Sequence, residues 1–176
     1  NGANWSYVGQ PVASTCNCVA SDGDSNSRWI AIYANGKVFR SVNDGAAWSE
    51  VKDTTTNIRC IETDKNETWV IATSGDPRII YQSTDNGANW TNVDSQAASG
   101  DNTPAYRVGT DGGGTWMIGY KYNITTIARN NGRTWSELVS GLTNDINVIV
   151  SDRKGYWLLF ESNYDIKKSE SKIIRT

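Results

Sequence analysis

The sequence contains few residues that could act as nucleophiles or bind metal ions, and their spacing favours neither role. Its 176 residues include three cysteines, Cys16, Cys18 and Cys60, and no histidine. Cysteines at i and i+2 of a strand share one face, and a disulfide between them would be too strained. The three cysteines together are one ligand short of the four that zinc usually takes. Without histidine the chain cannot form a Ser-His-Asp catalytic triad. We therefore predict free thiols that pack as small buried apolar side chains, and no metal ion or cofactor.

A repeated turn is the most regular feature of the sequence. Four segments carry a glycine three residues before a tryptophan, and in three of them an Asn or Asp lies two residues before that glycine. The tryptophans are Trp5, Trp48, Trp90 and Trp135, with spacings of 43, 42 and 45 residues. An Asn or Asp side chain can accept N–H bonds from the turn that it begins, glycine supplies a positive φ, and tryptophan covers the hairpin. The pattern indicates a turn that stabilises a β-hairpin rather than a reactive site.

A second tryptophan series runs in phase with the first. Each of its members follows a short polar turn that opens with an aspartate. The aspartates are Asp22, Asp64, Asp111 and Asp152, and the tryptophans are Trp29, Trp69, Trp116 and Trp157. Between these markers each period contains four short strands with Asn, Asp and Gly turns, and no segment predicts a helix. A period of about 40–45 residues with four strands predicts an all-β fold, a β-propeller of four-stranded antiparallel blades, with four blades in this chain.

The first turn series resembles the Asp-box, or BNR repeat, of the sialidase-like superfamily, whose pattern is S-x-D-x-G-x-x-W. The matching residues are Ser83, Asp85, Gly87 and Trp90 in a complete copy; Ser41, Asn43, Gly45 and Trp48 in a copy with Asn for Asp; Asn130, Gly132 and Trp135 in a copy that begins with Ala128; and Gly2 and Trp5 in a partial copy. The resemblance implies that these are structural turns, because in the family they lie away from the active-site face.

The chain is expected to form one Asp-box propeller segment. The expected bounds are 1–176 for the segment, about 9–51, 52–93, 94–139 and 140–176 for the blade repeats, and 1–8 for an outer strand. The two ends match halves of one broken box, with Thr176 in the place of Ser41 and Gly2 in the place of Gly45. We favour an array that continues on both sides in a longer protein, and the alternative is a four-blade ring.

Composition and missing motifs favour a binding or structural module over an enzyme. Seventeen Lys and Arg are scattered among nineteen Asp and Glu, which argues against nucleic acid, and no apolar run could span a membrane. By resemblance, sialidase chemistry needs three arginines, a Tyr–Glu pair, an acid/base Asp and an R-I-P-like segment. None is recognisable here, and the arginines at 28, 59, 107 and 153 occupy differing repeat positions.

We therefore predict a non-catalytic module that binds a protein or carbohydrate surface, within a larger extracellular or virion protein of the phage tail or fibre type. Two alternatives stay open: a fragment of a sialidase-type glycoside hydrolase, whose parent chain would be an enzyme, and an assembly-factor propeller. The candidate binding loops differ between blades and span 53–57, 94–104 and 161–171. Tyr106, Tyr120, Tyr122 and Tyr164 are candidates for stacking on sugars or for packing.

Overall fold

All the secondary structure that can be described is β. The structure, a computed structural model, describes residues 7, 9–23, 28–75, 77–96, 104–120, 125–137 and 144–161, and contains fourteen strands within them. Gly2, Trp5, Tyr122 and Tyr164 lie outside these residues, as do 97–103 and 162–176. No helix in the described part of the chain could cross a membrane.

The strands form consecutive antiparallel sheets, each of which is one blade. Blade 1 contains β1 (Cys16–Ser21), β2 (Trp29–Tyr33), β3 (Lys37–Ser41) and β4 (Ser49–Asp53). Blade 2 contains β5 (Ile58–Thr63), β6 (Trp69–Thr73), β7 (Arg78–Ser83) and β8 (Thr91–Gln96). Blade 3 contains β9 (Ala105–Thr110), β10 (Trp116–Tyr120), β11 (Thr125–Ala128) and β12 (Ser136–Glu137). The described part of blade 4 contains β13 (Ile146–Ser151) and β14 (Trp157–Glu161).

The prediction of an all-β propeller with antiparallel blades is confirmed. Each second-series tryptophan is the first residue of the second strand of its blade. The strands pair in sequence order, and β5 packs beside both β1 and β9, while β9 also packs beside β13. The predicted loop 94–104 begins later than expected, because β8 continues to Gln96.

Apolar side chains from facing sheets fill the seams between blades. Trp69 of blade 2 packs with Ile30 and Ile32 of blade 1, and Trp116 of blade 3 packs with Val70 of blade 2. Both tryptophans are fully buried. Burying a large aromatic side chain contributes about 2–3 kcal/mol, so the second tryptophan series stabilises the contact between blades as well as its own sheet.

The innermost strands contain β-bulges that the sequence did not reveal. In β1 the register shifts so that Cys16 pairs with Tyr33 and Cys18 with Ile32. Since Tyr33 and Ile32 are adjacent in β2, their side chains point to opposite faces, and so do the two cysteines. The prediction that they share one face was therefore wrong. Cys16 is exposed rather than buried, Cys60 is buried, and all three thiols are free.

One face of blade 1 is more exposed to solvent than the corresponding faces of the other blades. Ile61, Val108 and Ile149 occupy equivalent positions that face the preceding blade, and each is 6% exposed. Val19 is their counterpart in blade 1 and is 49% exposed. No blade among the described residues covers this face of blade 1.

Candidate functional site

The most complete box turn lies between β7 and β8. The Ser83 hydroxyl donates to Asp85 Oδ1 at 2.7 Å and accepts the Gly87 N–H at 2.9 Å. Asp85 Oδ1 also accepts the Asn89 N–H at 2.9 Å, and Trp90 Nε1 donates to the Gly87 carbonyl at 3.1 Å. Gly87 has φ of 79°, which only glycine adopts readily. The polar groups of this turn are thus bonded to one another.

The turn between β3 and β4 repeats this geometry with an amide. The Ser41 hydroxyl donates to Asn43 Oδ1 at 2.9 Å and accepts the Gly45 N–H at 3.0 Å. Asn43 Oδ1 accepts the Ala47 N–H at 2.9 Å, as Asp85 does in blade 2. Trp48 is half-buried and packs on the uncovered face of blade 1. Asn therefore forms the same bonds as Asp without its charge.

The turn between β11 and β12 keeps only part of the bonding. Asn130 Oδ1 accepts the Thr134 N–H at 2.9 Å, and Trp135 Nε1 donates to the Gly132 carbonyl at 2.9 Å. Because Ala128 replaces the serine, no hydroxyl is present to accept the Gly132 N–H. The three described box turns lie on different blades, so their residues do not converge on one site.

Contacts between neighbouring blades are made by the residue that precedes the box glycine in blades 2 and 3. Asn86 and Asn131 both have φ of 59°. Arg40 of blade 1 donates to the Asn86 carbonyl at 2.8 Å, and Gln82 of blade 2 donates to the Asn131 carbonyl. These bonds were not predicted from the sequence. The one signal for them is the polar residue in front of two box serines, Arg40 and Gln82.

The aspartate turns of the second series have the same bonding pattern in blades 2, 3 and 4. In blade 3, Asp111 Oδ1 accepts the N–H groups of Gly113 and Thr115 at 2.8 and 3.0 Å, and the Thr110 hydroxyl donates to the Thr115 carbonyl. Asp64 and Asp152 each accept two backbone N–H bonds in the same way. These carboxylates are hydrogen-bonded within their own turns.

The strand register places both turn series on one face of the array. Within blade 1, Ser21 pairs with Trp29, and Trp29 pairs with Ser41, so the aspartate turn and the box turn leave the same ends of the strands. We call this side the turn face. The β2–β3 and β4–β5 connections, and their counterparts in other blades, leave the opposite side, which we call the loop face. The variable segment 53–57 lies on the loop face, and β8 and β14 end on that side at Gln96 and Glu161, where the predicted loops 94–104 and 161–171 begin to leave the described residues.

The turn face contains two open grooves, whose main polar groups are already bonded. One, of 290 Å³, is lined by Gln82, Asp85 and Asn89, among others. Asn89 donates to Asp85, and Gln82 donates to the next blade. The other, of 170 Å³, is lined by Glu62 and Thr110, among others, and both bond to the backbone beside them. Each groove contains one carboxylate, Asp85 or Glu62, and one arginine, Arg133 or Arg153.

Hydrogen bonding and burial shift the pKa values of three groups. Burial by itself would raise the pKa of the Asp85 carboxyl, but bonds from the Asn89 backbone, the Asn89 side chain and Ser83 outweigh it and hold the pKa below its ordinary value. Burial raises the pKa of Glu62. Burial also raises the pKa of Cys60 to about 12, so this thiol is not a reactive thiolate at neutral pH.

The loop face combines fixed turns with exposed cations. The Thr54 hydroxyl donates to the Thr56 carbonyl at 2.7 Å, so the segment 53–57 is held by its own bonds. Arg59 and Arg107 lie near the loop-face ends of β5 and β9 and are both exposed. Tyr106 is half-buried and Tyr120 is buried, so Tyr120 packs rather than presenting its ring. The described residues contain no group of three His, Cys, Asp or Glu that could hold a metal ion.

Comparisons with known proteins support the fold. The chain matches no known family profile and none of the curated protein sequences. Among solved structures, it is similar to YCF48 bound to D1 peptide, with TM-score 0.65 and 12% identity over 86% of this chain and 50% of that one. It is also similar to an ancestral GH74 enzyme, with TM-score 0.66 and 19% identity over 85% of this chain and 22% of that one.

A third similar structure is a computationally designed protein, Ika4, with TM-score 0.67 and 7% identity over 90% of this chain and 92% of that one. The chain thus spans half of the YCF48 chain and about a fifth of the GH74 chain, but nearly all of the designed protein. Fold and neighbours together define the class: this chain is an all-β propeller array of four-stranded antiparallel blades. The neighbours include both glycoside hydrolases and proteins that are not enzymes, so the fold alone does not decide whether the chain is catalytic.

Proposed function

We propose that this chain is a non-catalytic propeller module that binds a partner surface through its loop face. The observation that carries the proposal is the difference between the two faces. Segments that repeat from blade to blade form the turn face, and the segments that differ leave the loop face. Binding residues are commonly found on variable loops that a rigid scaffold positions.

The bonding of the ionisable groups supports a non-catalytic role. General acids and nucleophiles need a side chain that is free to exchange a proton or attack a substrate. Asp64, Asp85 and Asp111 instead accept N–H bonds from their own turns, and Cys60 is buried with a raised pKa. We infer that the repeated turns are Asp boxes with a purely structural role.

A protein partner is the form of binding that we favour. YCF48, a propeller of the same architecture, is bound to a peptide in its solved structure, which supports both this proposal and the assembly-factor alternative. We further propose that the chain belongs to a larger extracellular or virion-associated protein. The sialidase-type alternative draws support from the GH74 neighbour, which is an enzyme.

Two assays on the purified chain test the proposal. We expect no hydrolysis of a fluorogenic sialoside, and we expect binding on a peptide array but not on a glycan array. Measurable turnover, abolished by substitution of an exposed loop-face side chain, would establish the enzymatic alternative. Binding to a defined glycan without turnover would replace the protein partner by a carbohydrate.

A further inference from the structure

Arg78 is a buried cation with two donor atoms that no acceptor among the described residues satisfies. It is the first residue of β7, at the loop-face end of blade 2, and is 6% exposed. Its Nε and Nη1 atoms have no hydrogen-bond partner, and no carboxylate among the described residues lies within ion-pair distance of it. The carboxylate of Asp94 in β8 acts electrostatically on the same Tyr120 without forming such a pair with Arg78. Its guanidinium lies over the ring of Tyr120 in blade 3, with Cζ 4.6 Å from the ring centroid.

The positive charge of Arg78 makes its burial costly. The guanidinium stays protonated in proteins, and burial without a counterion is strongly unfavourable. The cation–π contact with Tyr120 offsets part of that penalty but supplies no acceptor for the N–H groups. Orphaned buried donors are rare in folded proteins and indicate an ion, a water molecule or a ligand.

The groups of blade 3 that surround Arg78 are already engaged with one another. Thr126 of β11 pairs with Ile118, and Tyr120 follows two residues later on the same face of the sheet. The fully buried Thr126 side chain forms a side-chain hydrogen bond with Tyr120. The unsatisfied donors at the loop-face end of this seam are therefore those of Arg78.

The neighbouring seam shows that this arrangement is not a general property of the fold. Between blades 1 and 2, the cation over an aromatic ring is Lys52, with Nζ 4.7 Å from the Tyr81 ring centroid. Lys52 is only half-buried, so water can solvate its charge. The seam between blades 2 and 3 alone, among those described, holds a nine-tenths-buried cation without an acceptor.

We propose that Arg78 anchors a carboxylate-binding site at the loop-face end of the seam between blades 2 and 3, and that the carboxylate belongs to a peptide. A carboxylate supplies the opposite charge and acceptor oxygens in the plane that a guanidinium prefers. One cation matches one monovalent anion, and the exposed Arg59 and Arg107 add positive charge at the same face. The choice of a peptide rests on the function proposed above, whereas the carboxylate site does not.

The test compares a carboxylate with its neutral amide. N-acetylglycine and N-acetylglycinamide are added to the intact chain at equal ionic strength while its melting temperature is measured. At about ten times its Kd, the carboxylate should raise the melting temperature by about 3–5 °C, and the amide should not. The Arg78→Met variant should lose this shift, Arg78→Lys should keep only part of it, and the matched control Lys52→Met should keep it fully.

The outcomes separate the site from the function. An equal shift in wild type and Arg78→Met, or no shift in wild type with either N-acetylglycine or N-acetylneuraminic acid, would overturn the carboxylate site, even if wild type still binds peptides on the array. A shift that depends on Arg78, with no peptide bound on the array, would retain the site and remove the proposed function. If N-acetylneuraminic acid stabilises the chain and N-acetylglycine does not, the assignment to a peptide is wrong. Arg78→Met should fold, because it removes an uncompensated charge and keeps most of the apolar stem.

Discussion

The turn face and the loop face of this propeller satisfy their polar groups in different ways. On the turn face, Asp85 and Ser83 bond to the backbone of their own hairpin, and Gln82 bonds to the next blade. On the loop face, Arg59 is exposed and Arg78 is buried without an acceptor. The repeated carboxylates and tryptophans therefore belong to the turn face, which maintains the fold. The loop face, whose segments differ between blades, keeps arginine side chains with donors that can bind a partner.

The largest expected effect is on the contact between blades at the turn face. A Cβ at Gly87 would overlap Ile30 of blade 1 and would lie 3.2 Å from its Cγ1, and φ is 79°. Overpacking and a positive φ together should make Gly87→Ala lower the free energy of unfolding by about 3 kcal/mol, measured in urea. The matched control is Gly45→Ala, with φ of 83° but no blade against it, for which we expect about 1 kcal/mol. Equal losses would show that the box turn does not hold the blades together.

The next effect concerns the serine of the box. Ser83→Ala leaves the buried Gly87 N–H without its acceptor, and should lower the free energy of unfolding by about 1–3 kcal/mol. Blade 3 offers the reverse change, because Ala128 occupies the same position. Ala128→Ser should supply an acceptor for the Gly132 N–H and should not destabilise the chain. If Ala128→Ser costs as much as Ser83→Ala, the hydroxyl is not what stabilises the turn.

A smaller effect separates the charge of the box from its bonding. Asn43 makes the same backbone bond as Asp85, so Asp85→Asn should change the free energy of unfolding at pH 7 by less than about 1 kcal/mol. The lowered pKa of Asp85 adds stability that is present above the ordinary aspartate pKa of about 3.9 and is lost as the pH falls through the folded-state value. The free energy of unfolding, measured in urea, should therefore fall less steeply between pH 5 and pH 2 in Asp85→Asn than in wild type. Identical slopes would contradict the bonding role assigned to the carboxylate.

The smallest expected effect on stability is at the loop face. Arg107 is exposed, and among the described residues its side chain donates only to the Tyr106 carbonyl beside it, at 2.7 Å. Arg107→Ser should change the free energy of unfolding by less than about 0.5 kcal/mol, as measured in urea. A loss comparable to that of Ser83→Ala would mean that the loop face also maintains the fold.

The local parts of this structure could be predicted from sequence, and the contacts between blades could not. The positions of Trp69 and Trp116 at strand starts follow from turn chemistry within a few residues of each. The Gln82–Asn131 bond joins residues 49 positions apart, and the isolation of Arg78 depends on which groups of blade 3 face it. A one-residue bulge at Asn17 also reversed the expected side of Cys18, because alternation along a strand has a period of two.

One measurement tests the division between the faces most directly: a peptide and glycan array probed in parallel with wild type, Asp85→Asn and Arg107→Ser. All three proteins should be folded at pH 7, so differences in binding report on the face that was changed. We predict that Asp85→Asn binds the same array members as wild type and that Arg107→Ser loses them. Retained binding by Arg107→Ser, with loss of binding by a folded Asp85→Asn, would place recognition on the turn face and contradict this account.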